Sequence, residues 1–194
     1  ALYLRLGYIP APHALHEDSH MLEPGTWLKV YENGEITSNR FFEFPIYQET
    51  DLEGDEALEA VDDVLKEAVK KHLVSDVPVG AFLSGGIDSS LIVSKIKEIG
   101  MASNIQAFTI RSDNPYDESK DAGIYAEELG IVHKIEHMSS SNAYKMLDKV
   151  INACGEPFAD FSIFPTLAVS EIAREKAKVV LSGEGADELF GGYN

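Results

Sequence analysis

The sequence predicts an α/β protein, a doubly wound and mostly parallel sheet preceded by a small β-hairpin segment. Three observations carry this prediction. From Asp55 onward, amphipathic helical stripes alternate with short apolar runs, the rhythm of parallel βαβ units. Two of those runs end in glycine turns that lead straight into helix starts, Leu83-Ser84-Gly85-Gly86-Ile87-Asp88-Ser89-Ser90 and Leu181-Ser182-Gly183-Glu184-Gly185-Ala186-Asp187-Glu188. Ahead of them, Asn33-Gly34 lies between two strand-like segments, a strong local signal for a tight hairpin.

Each element follows from its own residues. Tyr3-Leu4-Arg5-Leu6-Gly7-Tyr8-Ile9 reads as a short helix stopped by Gly7 and Pro10, and Pro24-Gly25 marks a turn. Residues 27–31 and 35–44 are the hairpin arms, with Trp27 as a core residue of the pair. A lone hairpin is not stable in water, so this one must pack on something further. Residues 46–54 are polar and read as a linker. Leu58, Val61, Leu65, Ala68, Val69 and His72 then form one helical stripe. Residues 77–83 are apolar enough for a central parallel strand, and Leu91, Ile92, Val93 and Ile96 continue the helix that follows. Strands are expected at residues 105–110 and 132–137, on either side of a helix at 118–129 closed by Gly130. Helices at 142–153 and 163–175 lead to a short strand at 179–182. His133 and His137 share one face of their strand and read as packing or surface residues, and Asp62, Asp63 and Glu67 as a solvated helix face.

Composition narrows the function classes. The chain has 194 residues, 44% of them hydrophobic, enough for a real core, with no apolar run of membrane-spanning length and no signal-peptide pattern. Its one cysteine, Cys154, forms no internal disulfide and reads as a small core residue, so a cytoplasmic setting is expected. A formal charge of −17 disfavours DNA, RNA and anionic lipid as partners. The same charge implies that a polyphosphate ligand arrives with magnesium. His13, His16 and His20 lie in a proline-containing stretch with no cysteine to complete a zinc set.

The first glycine loop has the parts of an anion pocket. Gly85 and Gly86 permit a sharp turn and close approach of a ligand to the backbone. The helix that opens at Asp88 offers unpaired N–H groups at its positive end. Ser84, Ser89 and Ser90 add hydroxyl donors, and Asp88 can hold a neutralising cation. We read the loop as a pyrophosphate site. No Gly-x-x-x-x-Gly-Lys-Ser/Thr occurs, and Glu188 stands where a Gly-x-Gly-x-x-Gly fingerprint starting at Gly183 needs its third glycine. The second loop repeats the strand, turn and helix order. Asp88 and Asp187 both fall just past strand ends on one edge of the sheet, placed to share a magnesium ion, and Glu184 is placed to orient a substrate amine or a proton.

These two loops, together with Leu189-Phe190-Gly191-Gly192-Tyr193, Phe108-Thr109-Ile110, Tyr116-Asp117-Glu118, Gly155-Glu156-Pro157-Phe158-Ala159-Asp160 and Ile9-Pro10-Ala11-Pro12-His13, resemble the glutamine-dependent asparagine synthetase family (class B). The resemblance spans nearly the whole chain. Its first loop is shared with NAD, GMP and argininosuccinate synthetases and tRNA-thiolating enzymes. The second motif narrows the choice to a family that also includes β-lactam-forming synthetases. The fold implied is the adenine nucleotide alpha-hydrolase-like, PP-loop ATP pyrophosphatase type. The reaction implied is a ligase in which an aspartate side-chain carboxylate attacks ATP, giving β-aspartyl-AMP and pyrophosphate, before ammonia gives asparagine.

By the same resemblance, Leu83 and Ile110 hold adenine through backbone groups, and Ser182 and Gly183 also face the nucleotide. Ser84, Gly85, Gly86, Asp88, Ser89 and Ser90 grip pyrophosphate. Asp88 and Asp187 serve Mg2+, and Glu184 supports adenylate formation. A homodimer is the family's habit. Family members take ammonia from glutamine through an N-terminal cysteine, whereas this chain begins with Ala1. The expectation is therefore a fragment, with residues 1–50 the C-terminal tail of a glutaminase-like domain plus linker and 51–194 a truncated ATP-pyrophosphatase domain. Two other readings stay open: a ligase that adenylates a different carboxylate, such as a β-lactam synthetase-like enzyme, and a nucleotide-binding module without turnover.

Overall fold

The computed structural model describes residues 1–46 and 48–193. Tyr47, within the expected linker of residues 46–54, and Asn194 lie outside the described residues. In chain order the elements are α1 (Leu2–Leu6), β1 (Thr26–Val30), β2 (Ile36–Arg40), α2 (Gly54–His72), β3 (Val79–Phe82), α3 (Ile87–Glu98), a 3-10 turn (Ala102–Asn104), β4 (Gln106–Ser112), α4 (Ser119–Leu129), β5 (Val132–Met138), α5 (Ser140–Lys145), α6 (Leu147–Cys154), α7 (Ile163–Arg174), β6 (Val179–Leu181) and α8 (Ala186–Phe190). They fall into two compact units, Ala1–Asp51 with Leu147–Phe161, and Leu52–Met146 with Ser162–Asn194. No described helix is long and apolar enough to cross a membrane.

In the first unit, Gly7 takes φ 79° and ends α1 by donating its N–H to Tyr3 O at 2.8 Å. Strands β1 and β2 pair antiparallel from Thr26↔Arg40 to Val30↔Ile36. Gly34 has φ 84°, and among the described residues none other than glycine has positive φ, so Asn33 is not left-handed. Tyr31 and Glu35 close the turn through Tyr31 N–H to Glu35 O at 2.9 Å, leaving a three-residue connection in place of the two-residue turn that Asn-Gly commonly makes. Strand β2 ends at Arg40, short of Phe44, and Trp27 stays 42% exposed. Cys154, at the end of α6, is half-buried.

The second unit holds a four-stranded sheet in the order β5-β4-β3-β6, with every neighbouring pair parallel. Residues Val79, Gly80 and Ala81 of β3 are all buried, as a central parallel strand requires. Successive residues of β4 serve opposite faces. Ala107 joins Val93, Ile96, Ala122 and Ala126 in the core under α3 and α4. Phe108 joins Ile172, Ala173 and Ala177 on the α7 side. Helices therefore cover both faces, as the doubly wound reading predicts. Strands β4 and β5 extend the sheet from one side of β3 and β6 adds on the other, so the winding reverses between β3 and β6. Loops that leave two such strands diverge and open a crevice at their C-terminal ends.

Two sequence expectations change here. Residues 142–153 are two helices broken at Met146, and the second, α6, belongs to the other compact unit. Asp62 is not simply solvated. It pairs with Lys95 Nζ, whose side chain is only 8% exposed and which also meets Glu98 Oε2 at 2.8 Å. Lys66 holds the other Glu98 oxygen, and hydrogen bonds from Lys66 and Lys95 pull the Glu98 carboxyl down to about 2. A depressed carboxylate stabilises the fold above its ordinary value of 4.5, and this support disappears as pH falls towards 2. Lys95→Met leaves Asp62 without its buried cation. Because Asp62 and Glu98 are 47% and 39% exposed, water takes up part of the loss, and the expected destabilisation is about 2 kcal/mol by urea unfolding.

Candidate nucleotide site

Both glycine loops meet at the crevice between β3 and β6. A cleft of about 540 Å³ is lined by Leu83, Ser84, Gly86, Asp88 and Ser89 from the first loop and by Ser182, Gly183, Glu184, Gly185, Asp187 and Glu188 from the second, with Phe108, Thr109 and Ile110 from β4. Of the residues singled out in the sequence, Gly85 and Ser90 do not line it. Ser90 Oγ turns back to donate to Ile87 O at 2.8 Å, capping its own helix turn. Gly85 has a packing role. A β-carbon there would sit 2.8 Å from Glu118 Cβ and 3.1 Å from Asp121 Cβ, so the glycine lets the loop seat against the start of α4.

The first loop is braced by its own serines. Ser84 N–H donates to Ser89 Oγ at 2.9 Å, Gly86 N–H donates to Ser84 Oγ at 3.1 Å, and the two hydroxyls are 2.9 Å apart. Helix α3 begins after Gly86 with no side-chain cap, so its first-turn N–H groups face outward at the positive end of the helix. Gly183 brings the second loop against this helix start: its hypothetical β-carbon would lie 2.9 Å from both Asp88 Cβ and Ser89 N. Glu184 is exposed, and its N–H is held by Ser182 Oγ at 3.0 Å. Beyond α8, Gly192 folds over Asp187, with its N–H on Asp187 O at 3.0 Å and no room for a β-carbon beside the Asp187 carboxylate. Tyr193 OH donates to Glu188 Oε1 at 2.8 Å, and this hydrogen bond, followed by burial and the nearby acids, raises the phenol above its ordinary 10.0.

The cleft is acidic. Asp88, Asp117, Glu118, Glu184, Asp187 and Glu188 line it, and among the described lining residues none is Lys or Arg. Sequence reasoning gave no role to Asp117, which clamps the loop between β4 and α4. Its Oδ1 accepts from Ser112 N at 2.8 Å, and its Oδ2 accepts from Ser119 Oγ at 2.5 Å and Ser119 N at 3.3 Å. Burial raises the Asp117 pKa, but the Ser119 hydroxyl, the two N–H donors and the Arg111 charge outweigh it, leaving the carboxyl below its ordinary 3.8. The Asp-x-Ser spacing just ahead of a helix is a start signal that sequence reading can use. Asp117→Asn is expected to lose about 1.5 kcal/mol at pH 7. Because the folded carboxyl titrates low, this deficit should shrink as pH falls below 3.8, which paired denaturation curves at pH 7 and pH 3 would measure.

Thr109 was also given no role. It is 5% exposed, donates to Leu83 O and contacts His133 Nε2 at 2.7 Å. A hydroxyl within an apolar strand run is itself a signal, since a buried polar group requires partners. Pro165, Thr166 and Val169 of α7 complete one wall without any local pattern that would have marked them. Among the described residues, no three His, Cys, Asp or Glu side chains converge on a metal position.

Comparison with known proteins places this geometry in a family. Residues 60–194 match the family model described as asparagine synthase. Asparagine synthetase [glutamine-hydrolyzing] 1 of Bacillus subtilis is 35% identical over 193 residues, covering 99% of this chain and 30% of that protein. A provisionally named asparagine synthetase [glutamine-hydrolyzing] 2 of Methanocaldococcus jannaschii is 37% identical over 193 residues, covering 99% of this chain and 37% of that protein. The chain thus spans about a third of the length of these curated relatives. Among solved structures, a glutamine-dependent NAD+ synthetase from Acinetobacter baumannii in complex with adenosine diphosphate has a TM-score of 0.53 at 20% identity, covering 86% of this chain and 31% of that one, a likeness of fold. With a family model that covers most of the sequence and relatives that align along 99% of it, this chain belongs to the asparagine synthase family.

Proposed function

We propose that this chain carries the ATP-handling part of an amide-forming ligase, working inside the cell, that adenylates the side-chain carboxylate of aspartate for amidation by ammonia. The convergence of the two glycine loops on one acidic cleft at the winding reversal is the observation that supports it most. In this reading the first-turn N–H groups of α3 receive the β- and γ-phosphate oxygens, with Ser84 and Ser89 beside them. An aspartate carboxylate oxygen attacks the α-phosphorus, and the bond to the pyrophosphate oxygen breaks. Ammonia then attacks the acyl carbon, the bond to AMP breaks, and the nitrogen loses a proton. Charge develops on departing pyrophosphate, where fixed N–H dipoles stabilise it most. Glu184, which lines the same cleft, supports adenylate formation in this reading.

The residues present fit Mg2+. Six acids without a lining Lys or Arg would repel a bare polyphosphate, and Mg2+ commonly takes one or two carboxylates plus phosphate oxygens, so a preformed three-ligand cluster is not required. Asp88 and Asp187 would hold it, and it would supply charge neutralisation on the phosphates. Asp88→Ala is expected to weaken Mg-ATP binding about tenfold. Unchanged affinity would place the metal role elsewhere. In the family's manner the working protein is a homodimer that draws its ammonia from glutamine.

The reading is tested on the protein that carries this chain by following pyrophosphate release from Mg-ATP, with and without aspartate and an ammonium salt. Aspartate-dependent pyrophosphate and AMP, with asparagine as product, is the expected outcome. Release dependent on another carboxylate would redirect the acceptor, and ATP binding without release would leave a nucleotide-binding module.

A further inference from the structure

We infer that His133 is a positioning residue for the nucleobase end of the cleft, acting through the Thr109 hydroxyl on the carbonyl of Leu83. This rests on the ATP-binding reading and adds to it a polar relay across three strands. Thr109 Oγ1 has one proton, and it goes to Leu83 O. The 2.7 Å contact with His133 Nε2 is then one in which Thr109 accepts, so Nε2 carries the hydrogen. Burial holds His133 below its ordinary 6.5, which keeps a neutral ring with this N–H at pH 7. His133 therefore fixes which way the threonine proton points.

The consequence lies where β3 ends. Leu83 N–H donates to Phe108 O at 3.0 Å, the last rung of the β3–β4 ladder. In a parallel strand the residues that face one neighbour alternate, so Ile110 presents its backbone N–H and C=O to the same side as Phe108. At that level the Leu83 carbonyl is taken by the threonine hydroxyl, and Ile110 borders the cleft. A backbone donor and acceptor side by side match the adjacent amino group and ring nitrogen on an adenine edge. Without the relay, the Leu83 carbonyl is released to compete for the Ile110 N–H and close this edge.

The test compares two ligands on the protein that carries this chain, Mg-ATP and inorganic pyrophosphate with Mg2+, each titrated calorimetrically. Thr109→Val and His133→Leu are each expected to weaken Mg-ATP about tenfold and to leave pyrophosphate within about twofold, since pyrophosphate engages only the loops. Thr109→Ser, which keeps the hydroxyl, and His133→Gln, which keeps a donor, should recover most of the loss. The two removals lie on different strands, so misfolding of one variant leaves the other to decide. Unchanged ATP affinity, or an equal loss of both ligands, overturns the relay. A parent protein that binds neither ligand overturns the functional reading, and the relay with it.

Discussion

Gly183→Ala is expected to lower Mg-ATP affinity about a hundredfold, the equivalent of about 2.7 kcal/mol, while leaving the helix content unchanged. The added carbon would lie 2.9 Å from Asp88 Cβ, 2.9 Å from Ser89 N and 3.0 Å from the Asp88 carbonyl carbon. Those atoms belong to the first turn of α3, and a helix backbone does not yield as a flexible side chain does. Relief comes by moving the second loop away from the first, which separates Asp88 from Asp187 and widens the proposed phosphate site. Overpacking of this size costs about 1–3 kcal/mol. Gly185→Ala is the contrast. Its β-carbon meets nothing within 4 Å, and only its φ of 89° opposes the change, at about 1–2 kcal/mol of backbone strain. Equal ATP binding by Gly183→Ala and the parent would show that the loops are not coupled by this contact.

Phe108→Ala is expected to remove about 3–5 kcal/mol of stability, the largest loss of any single truncation considered. The ring is fully buried against Ile172, Ala173 and Ala177, and Gly80 makes room for it: a β-carbon at Gly80 would lie 2.7 Å from Phe108 Cε2. Truncation leaves a cavity that the glycine beside it cannot fill. A lower urea midpoint at constant slope would report this loss. Phe108→Leu keeps most of the volume and should cost less than about 1.5 kcal/mol. A small effect of the alanine change would mean that α7 closes onto the sheet.

Much of this was legible because it is local. Helical stripes, the Gly130 stop at φ 68° and the two strand-turn-helix junctions all follow from residues a few positions apart. Pairing is not local. Nothing within residues 179–181 says that β6 joins β3 and not β5, although the ligand position depends on it. The same limit hid the Lys95–Asp62 pair, whose partners lie on different helices. It also hid the Thr109–His133 contact, which crosses from β4 to β5. Ser90 is the opposite case, where the local environment of the residue matters more than its type. It has the residue type of an anion donor, but its own helix turn offers a nearer carbonyl.

The pairing of Val79 with Val179 spans a hundred residues of chain. Closing so long a loop is entropically slow, whereas β3, β4 and β5 are joined through short crossovers and can associate early. During folding, β3 therefore waits with one edge unpaired until β6 arrives. The two glycine loops meet only when that last strand docks, so on the proposed reading nucleotide binding becomes a late event on the folding pathway. A refolding experiment that follows ATP capture would time the docking of β6, and excess nucleotide would stabilise the completed sheet without accelerating the steps before it.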